Sequence, residues 1–244
     1  MQKKYEFTGR TKTLTSFDGT KVHTLHEIRR LSDDKLGGWI EKEENLSQEG
    51  HCWVGGDAYV FDEAQVKGDA LVVGDAWVYG NAVVKENAVI SECAKVNGSA
   101  TISGYAKISG DAFVTGQATV TNDVKVYGNA VVKDWACVNG ECHVHGNASI
   151  EGHAHVCDWA NIHDHAKISG RALVGRNAVV YDNVVVDGDA VVTDAAIVRG
   201  ETHVTGYSRV DRDMILDKRS DKYIPLPVKP VGETGNPNYD KEYE

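Results

Sequence analysis

Proline is scarce in this chain and is confined to one end. The 244 residues contain only 4 prolines, and all of them follow Ile224. Because proline cannot donate a hydrogen bond to a β ladder, a long proline-free stretch suits strands that are paired on both sides. Leucine is uncommon relative to valine and alanine, whereas glycine is abundant at 25 residues. This balance disfavours a helical bundle and favours many short strands joined by tight turns.

Other features that are missing disfavour several functional classes. The net charge is -10 and the sequence pI is near 5.5, so we expect neither a nucleic-acid polymer nor a membrane as the main partner. No long apolar run follows the first lysines, so we expect neither a secretory signal nor a transmembrane helix, and a cytoplasmic location. The 5 cysteines lack the spacing of a disulfide scaffold and are expected to be free thiols.

A six-residue repeat runs from Gly50 to Asp211 without insertion or deletion. These 162 residues divide into 27 hexads, such as GDAYVF and GNAVVK. The fifth place is Val or Ile in every hexad, the third place is Ala in 21, and the first place is Gly in 17. The exceptions at the third place are Cys52, Val124, Cys142, Val184, Thr202 and Ser208.

The repeat predicts an all-β, parallel β-helix, or β-solenoid, with triangular coils. Alternation along a short strand directs the fifth-place side chain inward and the fourth-place and sixth-place side chains outward. The first two places form a corner, where Gly supplies unusual dihedral angles that Asp62, Asn122, Asp134 and Asp158 can tolerate. Three strands and three corners make an 18-residue coil, so the hexads predict nine coils stacked about 4.8 Å apart.

The inward pair, illustrated by Val78 and Ala82, resembles that of the hexapeptide-repeat family of left-handed parallel β-helices. In this chain Gly lies two residues after the inward aliphatic residue, not directly after it as in that family. The segments 37–47 and 51–54 also resemble a subgroup from bacteria and phages that is labelled as transferases without an assigned reaction. The resemblance implies a left-handed helix and a homotrimer. Known family members include acyltransferases and the gamma class of carbonic anhydrases.

The two ends do not follow the repeat. Residues 1–49 are predicted to form an N-terminal cap, with a hairpin from Thr11 to Leu25 around the turn dipeptide Asp18-Gly19. The β-helix is assigned to residues 50–211, and residues 212–244 are predicted to form a C-terminal plug and a polar tail. The cap or a homotrimer should cover an apolar patch near the first coils. That patch is predicted to contain Trp53, Tyr59, Phe61, Leu71, Val73, Trp77, Tyr79 and Phe113.

Histidines cluster late in the repeat, where 6 of the 10 lie between His143 and His165. Residues eighteen apart should stack on adjacent coils, which places His163 above His145 and near His143. Tyr127 and Tyr181 should continue this column below and above the two histidines, with Arg199 beyond. These three histidines are candidates for a catalytic base or for zinc ligands. The alternative zinc set is Cys137, His155 and Cys157, and the alternative to both sets is a solvated surface without a cofactor. No two histidines have the five-residue spacing of the gamma carbonic anhydrases, which disfavours that activity.

Two columns of outward residues are candidates for binding a small anionic ligand. Both combine flat rings, which can stack on a ligand, with guanidinium groups, which can hold an anion. The candidate ligand-binding residues are Tyr127, Trp135, His153, Arg171, Tyr181 and Arg199.

Three functions follow from these patterns and stay open. The first is a non-catalytic β-solenoid scaffold or binding protein, which the absence of loop excursions within the hexads favours. The second is an acyltransferase-like enzyme using acyl-CoA, although such enzymes usually form their site with a loop that leaves one coil. The third is a phage-type protein that sequesters an anionic, nucleotide-like molecule in clefts between subunits.

Overall fold

A computed structural model describes residues 3–16, 19–212 and 214–217, and apart from one short 3-10 helix all their helices and strands are β-strands. The elements in chain order are β1 Tyr5–Thr15, β2 Val22–Arg30, β3 Leu36–Ile40, a 3-10 helix Glu43–Asn45, β4 Trp53–Val54, β5 Tyr59–Val60, β6 Gln65–Val66, β7 Leu71–Val72, β8 Trp77–Val78, β9 Val83–Val84, β10 Val89–Ile90, β11 Lys95–Val96, β12 Thr101–Ile102, β13 Lys107–Ile108, β14 Phe113–Val114, β15 Thr119–Val120, β16 Lys125–Val126, β17 Val131–Val132, β18 Cys137–Val138, β19 His143–Val144, β20 Ser149–Ile150, β21 His155–Val156, β22 Asn161–Ile162, β23 Lys167–Ile168, β24 Leu173–Val174, β25 Val179–Val180, β26 Val185–Val186, β27 Val191–Val192, β28 Ile197–Arg199, β29 His203–Val204, β30 Arg209–Val210 and β31 Ile215–Asp217.

The strands form three sheets that wrap around one core. Within the repeat each strand pairs in parallel with the strands eighteen residues before and after it, as Lys107 does with Val89 and Lys125. The sheets contain 12, 10 and 9 strands, and the 10-stranded sheet has one strand per coil. The predicted all-β parallel solenoid is therefore confirmed, with about ten coils where the hexads predict nine.

The additional coil comes from segments that lack the hexad pattern. At the start, Trp39 pairs with Tyr59 and Leu46 pairs with Val66, so parallel pairing begins before the first hexad with a spacing of 20 residues. At the end, β31 pairs in parallel with β28. Met214 and Leu216 are partly buried against the core there, as expected of a plug. The polar tail and all four prolines lie outside the described residues.

The core contains the third-place and fifth-place side chains of the hexads. The fifth-place Val and Ile residues are all buried, and so are the third-place residues except Thr202 and Ser208 near the last coil. These two hydroxyl groups donate hydrogen bonds to the carbonyls of Arg199 and Thr205, at 2.6 and 2.7 Å. Polar side chains are tolerated at these two places for two reasons. Backbone carbonyls at the corners accept their hydrogen bonds, and the side chains are only partly buried near the end of the solenoid.

Every first-place residue of the 27 hexads has a positive φ, including the 10 that are not glycine. Eight of these ten are acidic residues whose carboxylates accept a hydrogen bond from the backbone N–H eighteen residues later. Examples are Asp134 with Gly152 at 3.0 Å and Glu92 with Gly110 at 2.7 Å. An acidic side chain therefore offsets part of the steric cost of the left-handed conformation by satisfying a donor on the next coil.

The N-terminal segment covers the apolar patch near the first coils. Strands β1 and β2 form the predicted hairpin, with Thr13 opposite Thr24, although Asp18 of its turn lies outside the described residues. Leu25 packs with Trp39 and Phe61 in a second buried cluster, against which Leu14, Tyr59, Trp77 and Tyr79 are partly buried. The cap therefore provides the expected cover for much of the patch. Among the described residues, no helix is long and apolar enough to span a bilayer.

Substitutions at Gly110 test how the corners are stabilised. Gly110 has a φ of 67°, and the N–H of Gly128 lies close to where a Cβ would be. Gly110→Ala should lower the free energy of unfolding by about 1 to 2 kcal/mol because Ala is disfavoured in this conformation. Gly110→Asp should cost about 1 kcal/mol less than Ala, because its carboxylate can accept the Gly128 N–H. Urea denaturation of both variants measures the difference, and equal losses would contradict the proposed role of acidic corners.

Candidate functional site

The predicted column of histidine and tyrosine residues forms a continuous stack on the outer surface of the 10-stranded sheet. We call this surface, from Lys107 to Arg199, the histidine face. Ring centroids are separated by 4.7 Å between Tyr127 and His145, 5.0 Å between His145 and His163, and 4.9 Å between His163 and Tyr181. The interplanar angles are 7°, 10° and 9°. The spacing of the coils therefore fixes the spacing of the rings.

Hydrogen bonds orient the imidazoles of this stack. His145 Nε2 lies 3.2 Å from Asn161 Oδ1, and His163 Nδ1 lies 3.2 Å from Asp164 Oδ2. Burial and then the neighbouring His163 lower the pKa of His145. Because zinc bonds lie in the plane of an imidazole ring, the face-to-face arrangement does not direct both rings at one ion.

Arg199 lies next to Tyr181 at the C-terminal end of the stack. Arg199 Nη1 donates a hydrogen bond to the Tyr181 hydroxyl at 3.3 Å, and its Nε lies 2.8 Å from Asp217 Oδ2. The guanidinium is therefore already paired with a carboxylate. An anion at Arg199 would have to compete with Asp217.

A groove of about 290 Å³ lies at the N-terminal end of the stack, near Tyr127. It is lined by Tyr105, Lys107, Asp123, Lys125, Glu141 and His143. Lys107, Lys125 and His143 follow one another in register on adjacent strands. His143 also contacts Tyr127 edge to face, with ring centroids 6.3 Å apart, which joins the groove to the stack.

The surroundings of His143 favour the neutral form of its imidazole. Burial, and then the charge of Lys125, lower the pKa of its imidazole. A neutral imidazole can accept a proton or a hydrogen bond from a ligand. Sequence reasoning placed His143 among the candidates but missed Tyr105, Lys107 and Lys125, although the eighteen-residue spacing of the two lysines could have revealed their pairing.

The second predicted zinc set lies on the 9-stranded sheet. Cys137 and His155 are register partners, and Asn139 Nδ2 lies 3.2 Å from His155 Nε2. Burial raises the pKa of Cys157 to about 12, and burial also lowers the pKa of His155. The thiol form of Cys157 is therefore favoured in the absence of a metal, whereas zinc binds the thiolate.

The predicted corner column is exposed and internally paired. Trp135 stacks on His153 with ring centroids 5.1 Å apart and an interplanar angle of 12°. Arg171 Nε lies 3.4 Å from Asp189 Oδ1, and its side chain is 78% exposed. The role of Trp135, His153 and Arg171 as ligand contacts stays a prediction.

Among the described residues, one trio of potential metal ligands comes together, and it belongs to neither predicted set. It consists of His23, Glu41 and Asp62, whose ligand atoms all lie within 4.8 Å of one another. Sequence reasoning missed it because His23 belongs to the cap hairpin and Glu41 precedes the regular repeat. No spacing in the sequence relates these two residues to Asp62.

No protein-family model matches the chain, and no curated protein matches it.

The pH dependence of stability tests the electrostatics of the histidine face. His145 faces His143, His163 and Asp164, and its pKa is lowered from the ordinary value of 6.5. The unfolded chain then binds more protons, so the contribution of His145 to stability is fully present above about pH 6.5 and is lost as the pH falls below that value, through the lower pKa of the folded state. We expect the thermal midpoint to decrease from about pH 7.5 to about pH 5.5.

The substitution His145→Phe should make this decrease smaller, because Phe preserves a stacked ring and cannot be protonated. The remaining decrease is expected from His143 and His155, whose pKa values are also lowered by burial. The control is His153→Phe at an exposed corner, which should leave the decrease as in the wild type. A pH dependence unchanged by His145→Phe would contradict the prediction that protonation of His145 destabilises the folded protein.

Proposed function

We propose that this protein is a non-catalytic β-solenoid that binds a small anionic molecule in the groove of the histidine face. The observation that carries the proposal is the pairing of Lys107 with Lys125 on adjacent strands. Like charges directly opposite each other destabilise a sheet, and within the described residues neither lysine side chain forms an ion pair or a hydrogen bond. An anion bound between the two ammonium groups would offset their repulsion.

The other groups of the groove favour a ligand that combines an anionic group with a flat ring. Tyr105 is 59% exposed at the rim, where its ring offers a surface for stacking. The neutral imidazole of His143 can accept a hydrogen bond, and the carboxylates of Asp123 and Glu141 can accept others from a base or sugar. A nucleotide-like molecule has this combination of phosphate, donors and ring.

The size and the charge of the surroundings favour a small ligand. The groove, at about 290 Å³, is near the lower end of the volumes of small-molecule sites. Two carboxylates line the same groove, and the chain carries a net charge of -10, so a polyanion would meet repulsion beyond the two lysines. A mononucleotide, which carries fewer charges and can hold its phosphates at the two lysines, would meet less repulsion.

The scaffold supports binding better than it supports a chemical step. The 27 hexads contain no excursion that could close over the groove, so a bound ligand would remain in contact with water. Self-association as a homotrimer would place the histidine face of one subunit against another and deepen the groove, and it is part of this proposal. Such a protein would act by holding its ligand, as a sequestering protein does.

Calorimetric titration with ADP, pyrophosphate and adenosine tests the proposal. ADP should bind most tightly, because it supplies both an anion for the lysines and a ring for Tyr105. Lys107→Gln and Lys125→Gln should each weaken ADP binding about tenfold or more, since a hydrogen bond to a charged group is worth about 1.5 to 3 kcal/mol. Each substitution should also preserve the fold. It should raise the free energy of unfolding by about 0.5 kcal/mol, because it removes the repulsion between the lysines.

The matched control is Lys85→Gln, which removes the same charge from the 9-stranded sheet and should not change ADP binding. Failure of the wild-type protein to bind either ADP or pyrophosphate would contradict the proposal. Equal loss of binding in the Lys85 variant would show only a general charge effect and would also contradict it.

A second candidate function is that of an acyltransferase-like enzyme, which the resemblance to the transferase subgroup favours. The supporting observation is the lowered pKa of His143, because a general base must be neutral to accept a proton from an acceptor hydroxyl or amine. Lys107 and Lys125 could then hold the phosphates of an acyl-CoA.

Mass spectrometry separates the two candidates. With acetyl-CoA and a mixture of amine and sugar acceptors, the non-catalytic proposal predicts no acetylated product above the background rate. Product formation that is lost in His143→Ala, while binding of CoA is retained, would favour the enzyme. The control variant Lys85→Gln, which is changed outside the groove, should bind CoA and form product as the wild type does.

A further inference from the structure

The trio of His23, Glu41 and Asp62 joins three separate parts of the chain. His23 lies on β2 of the cap hairpin, Glu41 follows β3, and Asp62 occupies a corner of the regular repeat. His23 is only 1% exposed, and its ring packs against Phe61 with centroids 4.8 Å apart. Its Nδ1 atom lies 2.9 Å from Glu41 Oε1 and 3.8 Å from Asp62 Oδ1.

Backbone groups hold both carboxylates in this arrangement. Glu41 Oε2 accepts a hydrogen bond from the N–H of Asp62 at 2.7 Å, and Asp62 Oδ2 accepts one from the N–H of Gly80 at 3.3 Å. Each carboxylate therefore uses one oxygen for the backbone and turns the other toward His23. Such outer hydrogen bonds orient ligands in known metal sites.

The spacing of the three inner atoms is close to that of a metal site. Zinc bonds of about 2.0 to 2.2 Å in tetrahedral geometry separate neighbouring ligand atoms by about 3.3 to 3.5 Å. The distances of 2.9 and 3.8 Å from His23 Nδ1 lie on either side of this value, and the ligand atoms of the trio all lie within 4.8 Å of one another, so small side-chain shifts would bring them to one ion. The Glu41 and Asp62 side chains are 21% and 26% exposed, which leaves a solvent side for a water ligand.

The charge of the cluster also favours a cation. Two carboxylates lie beside a buried imidazole, and the cation paired with Asp62 is Lys21, whose Nζ lies 2.5 Å from Oδ1. Lys21 is 55% exposed, so its ion pair is worth little and its side chain can move into solvent. We propose that His23, Glu41 and Asp62 form a binding site for a divalent transition-metal cation of the Zn²⁺ type, which displaces Lys21 and fastens the cap to the solenoid.

This site has consequences for folding that are independent of the groove at His143. The three ligands are brought together only when the hairpin has docked on the first coils, so a cation that binds them stabilises the docked cap. Removal of the metal should loosen the hairpin without unwinding the coils. The proposal does not rest on the ligand proposed for the histidine face.

Titration of the tag-free, chelator-treated 244-residue chain with ZnCl₂ tests the site. Calorimetry should detect a zinc ion bound at this site in each chain, and zinc should raise the thermal midpoint. Asp62→Gly should weaken this binding at least tenfold and abolish the thermal shift. Because Gly occupies 17 of the 27 first places, this substitution suits the corner and should preserve the fold.

Matched variants distinguish this site from zinc binding elsewhere on the surface. Asp134→Gly makes the same change at a corner with the same backbone hydrogen bond, and His51→Ala disrupts an exposed His–Asp pair at 2.9 Å. Both should bind zinc as the wild type does. Lys21→Ala should bind zinc more tightly, because it removes the competing ammonium group.

Three results would overturn the proposal. The first is no zinc binding by the wild-type protein, and the second is unchanged binding by Asp62→Gly. The third is loss of binding in His163→Ala with retention in Asp62→Gly, which would place the zinc on the histidine face instead.

Discussion

The left-handed backbone conformation at every sixth residue is the constraint on which this molecule depends. Each corner turns the chain between two of the three sheets, and every first-place residue of the hexads has a positive φ. Because the corners recur without interruption, the valine and alanine side chains always meet their counterparts eighteen residues away. A narrow core then needs no large side chains, and residues on the outside align in columns along the rod.

The columns explain why the surface carries chemically unusual pairs. In a less regular fold, the two lysines at 107 and 125 could turn away from each other, but here their backbones are held in register. The same constraint stacks His145 on His163 at 5.0 Å. The like-charged lysine pair is costly for stability, which is the physical reason for seeking its role in binding, whereas stacked rings can stabilise adjacent strands.

At the first coils the regular eighteen-residue pairing of strands is replaced by packing of the N-terminal hairpin against the solenoid. Parallel pairing there has a spacing of 20 residues, and the hairpin covers the aromatic side chains that the strands expose. The cap also brings His23 beside Asp62, which is the most concentrated set of metal-ligating atoms among the described residues. The end of the solenoid is therefore the part in which residues distant in sequence combine, whereas the regular coils combine residues at fixed separations.

Within residues 50–211 the sequence by itself determined the coil, nearly all of the buried positions and the order of side chains in each column, because one six-residue rhythm specifies all three. It therefore predicted that Tyr127, His145, His163 and Tyr181 would align. It could not determine the directions of the ring nitrogens, since these depend on rotamers chosen by neighbours such as Asn161. Only the tertiary structure decided that the histidines stack face to face, that a groove opens at His143, and that the cap reaches Asp62. These features depend on side-chain packing and on contacts between segments that share no common period.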